Sequence, residues 1–175
     1  PLRDNTTSVS NQDIKGTIFL NEQGELEDVD YIIVTPNVFL NQAERLAQIN
    51  RDQYGLTVRV LTLDDIYLEF SSGNQDIVAI KNLVRYVYNN SNSQSGRLKY
   101  LCLFGDASFD YKDRISNNTN FVPSWHSLSS FSLTSSFVSD DFFGMLDDNE
   151  GGNLTGGDRL DIAVGRILAD SPQRA

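Results

Sequence analysis

The chain has 175 residues, 39% of them hydrophobic and 10% aromatic, which suits one domain with enough apolar material for a core. Fourteen Lys and Arg against 24 Asp and Glu leave a net charge of -10, which repels phosphate backbones and anionic headgroups and excludes nucleic acid as a partner. No apolar run approaches the roughly 20 residues needed to span a bilayer, so no direct membrane insertion is expected, and the single Cys permits neither an internal disulfide nor a cysteine-based zinc site.

Residues 1–16 are polar, rich in Asn, Thr and Ser, and without sustained period. With the apolar patch Thr17-Ile18-Phe19-Leu20 and the polar run that follows, residues 1–29 read as a linker or extended N-terminal arm, starting at an internal cut or a processed end. Tyr31-Ile32-Ile33-Val34 is short, continuous and β-branched, the pattern of a buried strand. Pro36 ends that strand, Asn37 is a candidate cap, and Phe39, Ala43, Leu46 and Ile49 recur at helical steps until Gly55. Residues 57–61 predict a second strand and 63–70 a short helix with Asp64 or Asp65 in its first turn. After Ser71-Ser72-Gly73, the stripe of Ile77, Ile80, Val84 and Val87 predicts a longer helix, closed by a polar loop over 89–96.

Tyr100-Leu101-Cys102-Leu103-Phe104 is the most apolar run and ends abruptly at Gly105-Asp106, as a central parallel strand opening into a loop would. Alternating strands and helices imply an open, mostly parallel α/β sheet with helices on both faces. Residues 107–136 carry no long helical stripe and predict a long ordered loop. Residues 137–146 and 160–167 flank an acidic, turn-rich segment, which suggests a β-hairpin or two short strands with a protruding tip. Ser171-Pro172 reads as a cap followed by proline at the first helical position, so the natural protein is expected to continue beyond Ala175.

Cys102 and His126 are the only Cys and the only His, so a thiol–imidazole dyad within the chain would have to use them. Leu101 and Leu103 beside Cys102 predict a buried structural thiol with a raised pKa. His126, after Trp125, reads as a surface or packing residue, with substrate contact the alternative. No Gly-x-Ser-x-Gly elbow is present. Asp106, at a strand end, has the position of a phosphoryl-transfer aspartate, but the glycines of a phosphate loop are missing and capping of the next turn explains it as well. Asp140-Asp141, Asp147-Asp148-Asn149-Glu150-Gly151-Gly152, Asp158 and Asp161 gather hard oxygen donors among flexible glycines, as calcium requires. The spacing partly echoes an EF-hand, yet Asp158 stands where the bidentate Glu belongs and no flanking helices are indicated, so another calcium site or a solvated acidic tip are the two readings.

Several ordered motifs together resemble the gingipain-type cysteine peptidases, in particular their sortase branch that serves the type IX secretion system of Bacteroidetes. They are Asp30-Tyr31-Ile32-Ile33-Val34-Thr35-Pro36, Asn50-Arg51-Asp52-Gln53-Tyr54-Gly55-Leu56, Tyr100-Leu101-Cys102-Leu103-Phe104-Gly105-Asp106-Ala107-Ser108-Phe109-Asp110-Tyr111, Ser139-Asp140-Asp141-Phe142-Phe143-Gly144 and Leu160-Asp161-Ile162-Ala163-Val164-Gly165-Arg166-Ile167. The resemblance implies a caspase-like fold of two α/β subdomains, with residues 30–175 forming the first, non-catalytic one. The catalytic His, in a Gly-His-Gly setting, and the catalytic Cys, after an Ala, would lie in the second subdomain; His126 and Cys102 have neither setting.

Further implications are a protein at the cell surface, on the extracellular side of the outer membrane. It would process secreted cargo bearing C-terminal sorting domains alongside other type IX secretion components. Calcium is also implied, with Asp147, Asp148 and Asp161 as the expected ligands and Asp106 as a contributor. The alternative is a non-enzymatic, calcium-stabilised cell-surface interaction module.

Overall fold

Four five-residue strands form the centre of the computed structural model, which describes residues 17–20, 24–91, 98–129, 131–154 and 156–175. They are β1 (Tyr31–Thr35), β2 (Val58–Thr62), β3 (Tyr100–Phe104) and β6 (Ala163–Ile167), all parallel, in the order β2-β1-β3-β6. Ile33 lies opposite Val60 on one side and Cys102 on the other. Alternate residues serve opposite faces: Ile32, Val34, Leu61, Leu101 and Leu103 enter one core, and Ile33, Val58, Cys102 and Phe104 the other. Burial on both faces explains why β1 and β3 read as unbroken apolar runs.

Three helices cover these faces: α1 (Leu40–Tyr54) lies on the Ile33 face, and α2 (Leu63–Ser71) with α3 (Ile77–Asn90) on the Ile32 face. Helix α1 follows a 3-10 turn, Asn37–Phe39, and Gly55 closes it in the left-handed conformation with its N–H on the Arg51 carbonyl. Its buried side is Ala43 and Ala47 with half-buried Leu46, while Ile49 points to solvent. Asn37 does not cap α1; its amide donates to Asp64 at 2.7 Å, because the intervening 3-10 turn moves the helix start to Leu40. Thr62 caps α2 by accepting from the Asp65 N–H, and Asp76 caps α3 by accepting from the Val78 N–H. The predicted stripe of α3 is buried at Ile80, Val84 and Val87, and the helix runs through Asn90, two residues into the expected polar loop, whose residues 92–96 lie outside the described part.

The described part of the N-terminal arm lies against the domain. Phe19 and Val29 are buried in the larger core, Arg59 donates to the Ile18 carbonyl, and Leu20 and Leu26 bridge antiparallel. Residues 1–16 lie outside the described residues.

Among its described residues the long loop has no helix, as expected, and it contributes β4 (Trp125–His126), which pairs antiparallel with β5 (Val138–Ser139). The antiparallel pair therefore joins 125–126 to 138–139, and the two arms around the acidic segment form no ladder with each other among the described residues, although the Asp161 N–H donates to the Gly144 carbonyl at 2.9 Å. Instead β6 adds in parallel to β3, with Ala163 opposite Tyr100 and Ile167 opposite Phe104. Ladder bonds to a central apolar strand outweigh a local hairpin here, and the acidic segment becomes a crossover loop against α3. Residues 171–175 make one turn, in which the Ser171 carbonyl accepts from the N–H groups of Arg174 and Ala175.

Candidate functional site

The loops after β3 and β6 meet at the carboxyl ends of the strands, the edge where open α/β sheets place their sites. Gly105 N–H donates to the Ile167 carbonyl at 2.9 Å and Asp106 N–H to Ala169 at 3.0 Å, while the Asp106 carbonyl accepts from both Phe121 and Val122. Asp106 is thus zipped through its backbone to both neighbouring segments. The next turn is organised by Asp110, whose buried carboxylate accepts from the N–H groups of Arg114 and Ile115 at 2.5 and 2.7 Å. Turn capping falls to Asp110 and not to Asp106.

Arg166 is the residue that holds this edge together. Its side chain is 9% exposed, and its guanidinium grips Asp140 with two bonds of 2.7 Å. The same group donates to the carbonyls of Gly105, Val122 and Pro123 at 2.9, 2.7 and 3.3 Å. Only a planar, multi-donor fork satisfies a carboxylate and three carbonyls at once. One side chain on β6 therefore fixes the end of β3, the loop that leads to β4, and the residue after β5. Both partners stand in the quoted motifs, but sequence reading had counted Asp140 among metal donors. The signal that could have found the pair is an Arg inside a short strand that the sheet buries on one side.

Pro123, which Arg166 holds, also lines a hollow of about 830 Å³, together with Asp76, Ser108, Phe109, Tyr111, Trp125 and His126 among others. Of its lining residues Phe109, Tyr111 and Leu128 are exposed, and Phe131 and Leu133 of the same loop are exposed too, an apolar content of the kind that marks a contact surface. Trp125 packs beneath, 5.6 Å from the Phe137 ring and 6.4 Å from that of Phe142.

Cys102 is elsewhere. It is 4% exposed and its thiol lines a separate groove of about 620 Å³ beside α1, together with Tyr31, Leu46, Tyr54, Tyr100 and Ile167. Burial pushes its pKa up, against the opposing pull of the Tyr31 hydroxyl and the Arg166 charge. The structure does not bring Cys102 and His126 into one hollow.

The four expected calcium ligands are not gathered either. Asp161 lies two residues before β6 and Asp106 two residues after β3, so the parallel register holds them apart by at least about four strand rises, roughly 13 Å. Asp161 accepts from the Leu146 N–H at 2.7 Å, Asp148 pairs with Arg85, and Asp147 is exposed. Among the described residues no three acidic, His or Cys side chains form a metal-ligand set.

The model of Peptidase family C25 matches residues 25–175. The crystal structure of dimeric latent PorU from Porphyromonas gingivalis is 30% identical, with a TM-score of 0.69 over 86% of this chain and 15% of that one. The complex of Porphyromonas gingivalis RgpB pro- and mature domains is 19% identical, with a TM-score of 0.53 over 82% of this chain and 26% of that one, a likeness of fold. The chain therefore spans about a sixth to a quarter of the solved chains it matches. Comparison with curated proteins gives no match.

Proposed function

The chain belongs to peptidase family C25, and from that premise we propose that it is the first, non-catalytic α/β subdomain of a gingipain-like cysteine endopeptidase or sortase. The reacting Cys and His would lie in a second subdomain. The observation that supports this most directly is the placement of the chain's own thiol and imidazole in different hollows, since a nucleophile and its base need hydrogen-bond reach. Cys102 is a core thiol of the support layer.

The likeness to PorU carries the finer reading. In the whole protein a thiolate attacks the carbonyl of the scissile peptide, His protonates the leaving amine, and water or an amine resolves the acyl-enzyme. The substrate would be secreted cargo at its C-terminal sorting domain, on the extracellular side of the outer membrane among other type IX secretion components. The loop over 107–136, with exposed Phe109, Tyr111, Leu128 and Phe131, would wall one side of the cleft. The groove over β3 and β6 would seat the second subdomain. Residues 169–172 already turn onto that face: Ala169 is buried with Phe39 and Ala43, and the Pro172 carbonyl accepts from Gln42 at 3.1 Å.

The test is Cys102→Ala in the full-length protein. Turnover within about twofold of wild type is expected, with a stability loss of about 1 kcal/mol from the small cavity. Selective loss of turnover in a variant with native circular dichroism would overturn the assignment.

A further inference from the structure

We propose that Lys81 is the resident cation of the acidic loop between Asp147 and Asp161, an internal ammonium that supplies the positive charge the loop would otherwise have to draw from a bound ion. Lys81 projects from the middle of α3 and is 9% exposed, an unusual degree of burial for a lysine. Its Nζ donates to the Glu150 carbonyl at 2.9 Å and lies 4.6 Å from the centre of the Phe142 ring. Gly151 lies so close that a Cβ there would stand 2.6 Å from Nζ, and its φ of +79° disfavours any other residue. The loop backbone is moulded around the ammonium.

The carboxylates follow the same plan. Glu150, Asp158 and Asp161 attract Lys81 electrostatically, whereas Arg85, one turn along α3, repels it and pairs with Asp148. Their oxygens are turned to the loop's own amides: Glu150 Oε1 accepts from Arg159, Asp158 Oδ2 from Gly151 and Asp161 Oδ2 from Leu146. Calcium needs six to eight oxygens about a common centre, and among the described residues these carboxylates form no such set, whereas the Lys81 ammonium bonds the loop at the Glu150 carbonyl. Glu150 Oε2 is buried without a hydrogen-bond partner, so this loop keeps an oxygen with spare capacity for a cation once the ammonium is gone.

The test follows hydrogen exchange over residues 144–161 of the full-length protein, with chelator and with millimolar calcium, because that readout is blind to calcium bound elsewhere in the molecule. Wild type should exchange equally in both. Lys81→Met should exchange about tenfold faster in chelator and be slowed again by calcium, whereas Lys81→Arg should retain the wild-type indifference. Slowing of the wild-type loop by calcium overturns the proposal, and that arm stands even if Lys81→Met fails to fold. Unchanged exchange of a folded Lys81→Met in chelator also overturns it.

Discussion

Replacing Arg166 with Met removes the fork that joins β6 to Asp140 and to three loop carbonyls, at similar side-chain length. Breaking a buried ion pair by deleting one partner costs about 3–5 kcal/mol, mainly because the remaining charge is stranded. Asp140 is 24% exposed and can recruit water, which places the electrostatic part at the lower end of that range. The carbonyls of Gly105, Val122 and Pro123 lose their donor as well, and each such loss is worth about 1 kcal/mol but is not additive with the first. A total of about 3–4 kcal/mol is expected for Arg166→Met. Arg166→Lys keeps the charge but not the bidentate geometry and should lose about half of that.

The assay is urea unfolding followed by fluorescence of Trp125, the one Trp of the chain, which sits in the loop that Arg166 anchors. A fall in midpoint at constant slope would register the loss. Asp140→Ala and the double variant complete a cycle, in which coupling of at least about 1 kcal/mol is expected between residues in direct contact. Additive single costs, or an Arg166→Met variant within about 1 kcal/mol of wild type, would refute Arg166 as the residue that joins these segments.

Two further predictions concern other carboxylates. Asp110→Ala should leave the N–H groups of Arg114 and Ile115 without their acceptor and cost about 1–2 kcal/mol, read as faster proteolytic cleavage within 107–120; cleavage at the wild-type rate would show that the turn holds without it. Burial pushes the pKa of Asp30 up, but the Lys99 ammonium at 2.6 Å and the Thr57 N–H at 3.0 Å outweigh this and hold it below the usual carboxylate value. A lowered folded pKa gives stability that is present above the unfolded value and is lost as pH falls through the folded one. Wild type should therefore lose part of its stability below about pH 4, and Asp30→Asn should flatten that part of the stability–pH curve; equal slopes for both proteins would count against the pairing.

The elements up to Phe104 were legible because each has one dominant signal: β-branched runs for β1 and β2, three- and four-residue spacing for α1 and α3, and an unbroken apolar run for β3. Errors there were local, as with Ile49, which belongs to the helical period but falls at the margin of the face that α1 turns to the sheet. Beyond Asp106 the decisive contacts are non-local and polar. The pairing of β6 with β3 spans some sixty residues, and local alternation could not compete with it in the reading of a hairpin. The acidic residues were recognised as a group but were divided by the fold among different duties: Asp140 to Arg166, Asp148 to Arg85, Asp161 to a backbone amide. Composition reports how many carboxylates there are, and only topology reports which cation or amide each one meets.

That division has a consequence for this edge of the sheet. Cations on regular elements reach acids in connecting segments at Arg59 with Glu27, Arg85 with Asp148 and Arg166 with Asp140. The first two pairs are a third or more exposed at every side chain and are worth about 0–1 kcal/mol each, so neither pair by itself fixes its loop. Only the Arg166 pair is withdrawn from water and tied to three further carbonyls. Of the three pairs, the one at the carboxyl end of the sheet is therefore the one that fixes its segments, through Pro123, which lines the same hollow as Phe109, Trp125 and His126; under the proposed function, that stiffness is what a cleft wall would need.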